Sequence, residues 1–286
     1  MRQLKIGEMR IDRLVEIPAL PLDKEFLFAN VTDEVIAANR CWLDERFIEP
    51  VTDRFILSHH SYVVRTPRWT AIVDTCCGNH KERPGAPFWH RLNQPYLENM
   101  QALGVHPDEV DFVMCTHLHV DHVGWNTRLV GGRWVPTFAN ARYVFGRTEF
   151  EHWRDHSHEP DKKAVFGDSV KPIADAGKAD LVPSDHRLSD EITLIPTPGH
   201  SPGHMSIHIK SDGQEGLLTG DVAHHPCQMA HLDWSSTADS DPKASAVTRR
   251  ELFSRFADTP TLVIGGHFNA GHIKREGDAF KFIALG

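Results

Sequence analysis

One stretch of the chain is unusually dense in side chains that carry chemistry: Cys115-Thr116-His117-Leu118-His119-Val120-Asp121-His122-Val123-Gly124. It holds three imidazoles and one carboxylate within six residues, which packing alone does not explain. The preceding run, 111–115, has the apolar character of a short buried strand, so the polar side chains follow the strand's C-terminal end. Loops at such positions commonly carry function. The stretch therefore predicts a functional loop.

These residue types indicate coordination chemistry. Neutral imidazole and carboxylate suit zinc and chemically similar metals. The pattern H-x-H-x-D-H over 117–122 contains no cysteine, which argues against a closed structural zinc site. In an extended loop His117 and His119 point to one side, whereas Asp121 and His122 are adjacent and diverge. One metal ion could hardly use all four side chains, but two ions could. A two-metal site requires further ligands elsewhere in the chain.

Composition excludes several classes of protein. The chain has 286 residues, 40% of them hydrophobic, and a net charge of −8, so it offers no basic field for nucleic acid. No apolar run approaches the roughly 18 residues that span a bilayer, and the start does not resemble a signal peptide. We therefore expect a cytoplasmic protein with no nucleic-acid or membrane partner. Its 5 cysteines are expected to be reduced, mostly buried thiols.

The predicted organisation is a single domain over 1–286 with an α/β layered core and two sheets packed together. Alternating and apolar runs predict strands before and after the His-rich loop, and helices are predicted over 88–103, 162–177 and 242–256. Residues 18–50 differ from the rest, because prolines and aromatic residues interrupt any regular spacing of apolar residues. We interpret them as an N-terminal loop and helix excursion.

Further ligands do occur, each just after a strand of the second half. The apolar runs before them lead to His200, Asp221 and His267, with glycines beside each that allow close backbone approach. In the first half, Asp74 ends a strand and could orient a metal-bound imidazole or simply terminate the strand. His59 and His60 lie inside a strand, where a structural role is expected.

The motifs T-H-L-H-V-D-H-V-G, P-G-H-S-P-G-H, L-T-G-D and G-G-H together resemble the metallo-β-lactamase fold hydrolases, over roughly Ile6 to Phe282. This resemblance implies an αββα sandwich in which helices flank two mixed sheets. It also implies two divalent metal ions, zinc or alternatively iron, manganese or cobalt. One ion would be held by His117, His119 and His200, the other by Asp121, His122 and His267, with Asp221 bridging them. His204 would support the ligands.

The resemblance also narrows the branch of the family. True β-lactamases lack the bridging aspartate found at Asp221, and flavodiiron proteins have Glu at the position of His119. Glyoxalase II, a thioester hydrolase, shares the ligands but adds a C-terminal helical region that this sequence lacks. Mononuclear iron persulfide dioxygenases use fewer metal ligands, so the presence of His267 in this chain argues against that group. The N-acyl homoserine lactonases and the methyl parathion hydrolase group remain, and lactonases often carry Tyr at the position of His224.

The expected function is hydrolysis of a small-molecule ester or lactone by a metal-bridging hydroxide, with phosphotriesters as a side activity. Asp121 is expected to shuttle the proton, and His224 to donate a hydrogen bond to the carbonyl or oxyanion. Iron-dependent persulfide oxidation and thioester hydrolysis stay as alternatives, and a homodimer stays open. Candidate walls of the substrate site are Trp42, Phe88, Trp89, Trp125 and Phe268.

Overall fold

The computed structural model describes residues 3–28, 31–40, 43 and 45–285. Contacts divide the chain into two compact units, the first made of Met1–Glu16 and His59–His186 and the second of Ile17–Ser58 and Arg187–Gly286. Two of the three boundaries fall within long strands, and the third lies between His186 and Arg187, outside any strand. That the whole chain is one domain, with 18–50 as an excursion, stays a prediction.

The strands of the described chain are numbered in order: β1 (Leu4–Ile6), β2 (Met9–Leu22), β3 (Phe55–Arg65), β4 (Thr70–Val73), β5 (Phe112–Met114), β6 (Thr127–Val130), β7 (Arg133–Pro136), β8 (Arg142–Gly146), β9 (Ala179–Val182), β10 (Ile192–Pro196), β11 (Met205–Ser211), β12 (Gln214–Leu218), β13 (Leu262–Ile264), β14 (Ala270–Glu276) and β15 (Ala279–Ala284).

The helices of the described chain are α1 (Lys24–Leu27), α2 (Asp33–Asn39), α3 (Tyr96–Ala102), α4 (Arg147–His156), α5 (Pro160–Val165), α6 (Lys171–Asp175), α7 (Cys227–Ala230) and α8 (Pro242–Phe256). Short 3₁₀ segments cover Pro107–Glu109, Gly124–Asn126 and Gly220–Val222, and a π-helical turn, Phe166–Val170, joins α5 to α6.

The first sheet has the order β1-β2-β3-β4-β5-β8-β9. β3 and β4 are antiparallel, whereas β4, β5, β8 and β9 pair in parallel, so the sheet is mixed. Val73 on β4 lies opposite Met114 on β5, and the two strands end together. Asp74 and the His-rich loop therefore leave the same edge of the sheet, above a core that includes Val63, Ile72 and Val113.

The second sheet has the order β10-β11-β12-β13-β14-β15. Its pairs are antiparallel except for β12 and β13, so it is also mixed. Because β10, β12 and β13 run in one direction, the segments that carry His200, Asp221 and His267 all leave the same edge. With α4 packed on β8 and β9, and α8 on β14, the predicted α/β fold with mixed sheets and helices is confirmed.

Buried Arg249 on α8 holds the irregular segment that follows Asp221. Its guanidinium donates to the carbonyl oxygens of Val222 and Leu232 at 2.7 Å each and of Trp234 at 2.9 Å. A buried cation is costly unless hydrogen bonds satisfy it, and here backbone oxygens do so. The segment is thus fixed through its main chain.

The described cysteines, Cys76, Cys77, Cys115 and Cys227, are all free and buried, which agrees with the prediction of reduced thiols; Cys41 lies outside the described residues. Burial raises the pKa of each of these thiols, so they stay protonated at neutral pH. Among the described residues, no helix has both the length and the apolar character needed to cross a bilayer.

Candidate functional site

The His-rich loop brings its four predicted ligands together within the first unit. The ring centroid of His117 lies 4.6 Å from that of His119 and 4.0 Å from that of His122. Oδ1 of Asp121 lies 3.8 Å from Nε2 of His122. His117 and His122 are buried, whereas His119 and Asp121 are partly exposed. The loop therefore presents a compact set of nitrogen and oxygen donors.

Asp74 orients this loop, which was one of its two predicted roles. Nδ1 of His122 donates to Oδ2 of Asp74 at 3.0 Å, and the backbone N of Thr116 donates to Oδ1 at 2.8 Å. Asp74 has φ 54°, a left-handed conformation that aspartate tolerates better than most residues. A neutral imidazole that donates through Nδ1 presents its Nε2 lone pair, as a metal ligand does.

A second carboxylate, that of Glu149 on α4, binds the backbone of the loop. Its Oε1 accepts from the backbone N of Leu118 at 3.1 Å and from Nε1 of Trp153 at 2.6 Å. The Trp153 ring in turn meets the His119 ring at 5.2 Å in a T-shaped contact. Glu149 is almost wholly buried. Because it lies in α4 and not in the loop, the sequence pattern of the loop did not reveal it.

In the second unit, the predicted ligands converge on Asp221. Oδ2 of Asp221 lies 3.2 Å from Nε2 of His267 and 3.5 Å from Nε2 of His200. Nε2 of His224 lies 3.3 Å from the same oxygen. All four side chains are buried. His200, Asp221 and His224 each offer a ligand atom within 4.8 Å of the others, so together they could hold a metal ion.

The hydrogen bonds of two of these rings show which nitrogen carries the proton, and this indicates that a cation fits between the rings and Asp221. Nδ1 of His200 donates to Oδ1 of Asp239 at 2.9 Å, and Nδ1 of His267 donates to the carbonyl oxygen of Ser58 at 3.2 Å. In their neutral forms both rings therefore turn an Nε2 lone pair towards the Asp221 carboxylate. Lone pairs repel a carboxylate unless a cation lies between them. The donor set fits a divalent metal such as zinc.

Asp239 was not predicted, because it lies in an irregular segment without a motif. Burial would raise the pKa of its carboxyl group, but the hydrogen bond from His200 and the nearby His224 and Arg249 lower the pKa overall. Asp239 is therefore ionised and can hold the His200 ring in one orientation.

His204 holds the backbone of Asp221, and Gly266 leaves space for its side chain. The N–H of Asp221 donates to Nε2 of His204 at 2.9 Å, while Nδ1 of His204 lies 2.8 Å from Oγ1 of Thr197. Both nitrogens of His204 are thus engaged away from the ligand set, which agrees with the supporting role that the resemblance implied. A Cβ added to Gly266 would lie 2.6 Å from Oδ1 of Asp221, so glycine leaves the space that this carboxylate fills.

His224, the predicted oxyanion donor, lies within the Asp221 cluster. Its ring stacks on His267 at 5.7 Å with an interplanar angle of 9°. Burial lowers its pKa, so the ring is neutral. Among the described residues, none makes a hydrogen bond to its Nδ1. Its role in catalysis stays a prediction.

His59 on β3 is also part of the first unit's cluster. Its Nε2 lies 3.3 Å from Oδ2 of Asp121, and its side chain is 1% exposed. Nε1 of Trp89 donates to the same nitrogen at 3.3 Å. The polar run 58–61 within an otherwise apolar strand was the only sequence signal for this contact.

The predicted wall residues occupy different environments. Trp89 and Phe88 are half-buried and contact each other, whereas Trp125 and Phe268 are buried. Trp125 stacks on Tyr96 and donates to Glu16 at 2.6 Å. Trp42 lies outside the described residues. Contact of any of these aromatic side chains with substrate stays a prediction.

Comparison with known proteins gives the family context. The profile described as Metallo-beta-lactamase superfamily matches residues 55–267. An N-acyl homoserine lactonase from Bacillus thuringiensis is 32% identical over 170 residues, 59% of this chain and 60% of that protein. N-acyl homoserine lactonase AiiB from Agrobacterium fabrum (strain C58 / ATCC 33970) is 25% identical over 234 residues, 75% of this chain and 73% of that protein.

Among solved structures, the dizinc quorum-quenching lactonase AidC in complex with a product has a TM-score of 0.80 at 16% identity, covering all of this chain and 97% of that one. At this identity the likeness concerns the fold alone. The chain spans about 60% of the length of the Bacillus thuringiensis lactonases that it matches.

Proposed function

We propose that this chain, which belongs to the metallo-β-lactamase superfamily, is a hydrolase that uses two divalent metal ions to open an ester or lactone. The proposal rests above all on the convergence of His200 and His267 on Asp221. Both rings donate through Nδ1 and turn their Nε2 lone pairs towards one carboxylate oxygen, which is the environment of a cation.

The residues proposed to hold the ions are those of the expected set: His117, His119, Asp121, His122, His200, Asp221 and His267. Their chemistry fits zinc, since all the donors are imidazole nitrogens or carboxylate oxygens. When bound, two such ions supply a hydroxide nucleophile near neutral pH and Lewis acidity at the carbonyl oxygen. Asp74, Asp239 and the backbone of Ser58 fix three of the imidazoles.

The other roles belong to the chain's own side chains. Asp121, the most exposed carboxylate of the proposed set, takes the proton that water gives up and hands it to the leaving oxygen. His224, neutral and buried, donates a hydrogen bond to the developing oxyanion. The half-buried Trp89 and Phe88 contact the apolar part of the substrate.

The lactone and ester class is favoured by the two relatives described above, both of which bear the name N-acyl homoserine lactonase. A mononuclear persulfide dioxygenase is the rival. The position of His267 disfavours it, because the ring is buried, fixed by Ser58 and turned towards Asp221 rather than away from it.

The deciding experiment measures bound metal and turnover on the same preparation. We expect about two zinc equivalents per chain and hydrolysis of lactones and aryl esters, with weaker action on phosphotriesters. The variant Asp221→Ala should lose metal and reduce turnover by a factor of at least about 10². Asp233→Ala, at an exposed carboxylate of the second unit, is the control and should match the wild type.

One iron per chain, with oxygen consumption on a persulfide and no ester hydrolysis, would instead establish the dioxygenase. Full turnover and full metal content in Asp221→Ala would remove the central ligand from the proposal.

A further inference from the structure

Helix α4 carries two histidines four residues apart, His152 and His156, which are not among the ligands proposed above. In an α-helix, residues at positions i and i+4 lie on the same face. The two rings stack there, with centroids 4.8 Å apart and an interplanar angle of 16°. Histidines at this spacing on a helix can bind one zinc ion together, because both rings reach the same point beside the helix.

The His156 ring is oriented as a metal ligand is. Its Nδ1 lies 3.0 Å from the carbonyl oxygen of His152. A carbonyl oxygen only accepts hydrogen bonds, so Nδ1 carries the proton and Nε2 of the neutral ring keeps its lone pair. Metal-bound imidazoles in proteins are commonly fixed by such a bond to a carbonyl group. His156 is exposed, so an ion from solution can reach the ring.

The His152 ring can supply the second nitrogen. Its side chain is partly exposed, and the ring meets that of Trp153 at 5.1 Å in a T-shaped contact. Burial lowers the pKa of His152, although the charge of Glu149 opposes this shift. The ring is therefore neutral at pH 7, and one of its two nitrogens carries a lone pair.

The position of the pair on the helix also favours a cation. His152 and His156 lie in the last turn of α4, where the helix dipole places partial negative charge. Arg154 and Lys162 are each paired with a carboxylate, at 2.7 and 3.0 Å. Little net positive charge therefore opposes an ion bound to this turn.

We propose that His152 and His156 form a separate metal site, which binds one zinc or copper(II) ion and leaves the remaining coordination positions to water. Imidazole ligands suit these metals, whereas magnesium and calcium prefer oxygen ligands. The site goes beyond the proposed hydrolase function and does not depend on it. An ion that joins two turns of α4 binds only the folded helix, so it should stabilise the element that carries Glu149 and Trp153.

Calorimetric titration with zinc, on protein that already holds its resident metal ions, tests this proposal. We expect the wild type to bind one further equivalent of zinc. His156→Gln should bind it at least about 10-fold more weakly, because one of the two nitrogen ligands is lost. Copper(II) should bind more tightly than zinc to the wild type, and magnesium should not bind. The resident metal content should be the same in both proteins.

Two control variants separate this pair from surface histidines in general. The double variant Arg154→His, His156→Gln keeps the number of histidines but places them at i and i+2, which do not face each other. It should bind the further zinc as weakly as His156→Gln does. His158→Gln removes an exposed histidine beyond the end of α4 and should behave as the wild type.

An independent readout is the electron paramagnetic resonance spectrum of copper(II) added below one equivalent. The wild type should show coordination by two imidazole nitrogens, and His156→Gln should lose this signal. Undiminished zinc affinity in His156→Gln, or an equal loss in His158→Gln, would mean an adventitious ion only. A wild type that binds no further zinc would refute the site, whether or not the protein hydrolyses esters.

Discussion

Nδ1 of His200 lies 2.9 Å from Oδ1 of Asp239, a carboxylate whose side chain has no exposed surface. The contact fixes which nitrogen of His200 carries the proton and therefore which one is available as a ligand. Partners of this kind typically contribute 10- to 100-fold to metal affinity.

We therefore expect Asp239→Ala to weaken zinc binding by about 10- to 100-fold, measured by competition with a chelator of known affinity. The exposed Asp233 provides the control variant Asp233→Ala, which should bind zinc as the wild type does. Unchanged zinc affinity in Asp239→Ala would mean that His200 needs no such partner.

Asp74 makes the corresponding contact in the first unit, so Asp74→Asn should also weaken zinc binding by about 10-fold or more. Asparagine keeps the shape and tolerates the left-handed backbone at φ 54°, but it replaces a charged acceptor by a neutral one. Asp212→Asn tests the backbone effect separately, since Asp212 has φ 47° in an exposed turn. Calorimetric titration of both variants with zinc provides the comparison, and equal affinities would contradict the role of Asp74.

Gly266→Ala is expected to displace the Asp221 carboxylate. The new Cβ would lie 2.6 Å from Oδ1 of Asp221 and 2.9 Å from the carbonyl oxygen of Gly220, closer than real contacts allow. We expect a loss of about 1–3 kcal/mol in the free energy of unfolding, together with weaker metal binding. Gly167→Ala is the matched control, because no described atom beyond its chain neighbours and its own helix backbone lies within 4 Å of its added Cβ. A variant at 266 with normal stability and metal content would show that Asp221 has room to move.

A buried lysine should make stability depend on pH in the alkaline range. Nζ of Lys81 lies 2.9 Å from Oγ1 of Thr127 and 3.8 Å from the centre of the Trp134 ring. It also donates to the carbonyl oxygen of Asp168 at 3.3 Å, an oxygen that Pro172, four residues on, cannot bind within the helix. Burial lowers the pKa of Lys81 to about 8, although Asp168 opposes the shift.

Since the folded pKa lies below the unfolded one, the unfolded chain binds more protons between about pH 8 and 10.5. Over this range the free energy of unfolding of the wild type should rise relative to Lys81→Met, by up to about 1.4 kcal/mol per pH unit. Denaturant titrations at several pH values measure the difference. Lys171→Met, at an exposed lysine, should run parallel to the wild type, and a pH-independent difference for Lys81→Met would refute the shift.

The sequence predicted best where the signals are local. Helix α8 occupies Pro242–Phe256 as predicted, because Asp241 caps it through the backbone N of Lys243 and Ala244 at 3.0 Å each and Pro242 suits the first turn. The helix predicted from residue 88 was wrong before Pro95, which instead stands at the N-terminus of α3. Gly104, its predicted stop, has φ 73° just after that helix.

Contacts between distant parts of the chain were harder to predict. The ligand motifs are recognisable because each follows a strand, but Asp239 and Glu149 reach their partners only through the fold. His59 was expected to be structural, since a histidine within a strand gives no indication of what lies opposite. The hairpin of β14 and β15 was not predicted, although Gly277 at φ 60° forms its turn.

Arg249 binds main-chain oxygens, and this has a consequence for how the protein can diversify. Because Val222, Leu232 and Trp234 are held through carbonyl groups that every amino acid possesses, the anchor itself does not depend on the identity of the side chains in this segment. Libraries that vary the exposed position 233, inside the anchored segment, should therefore retain folded members far more often than libraries that vary position 249. The guanidinium thus keeps the main chain of this segment in place while its solvent-exposed positions are free to vary.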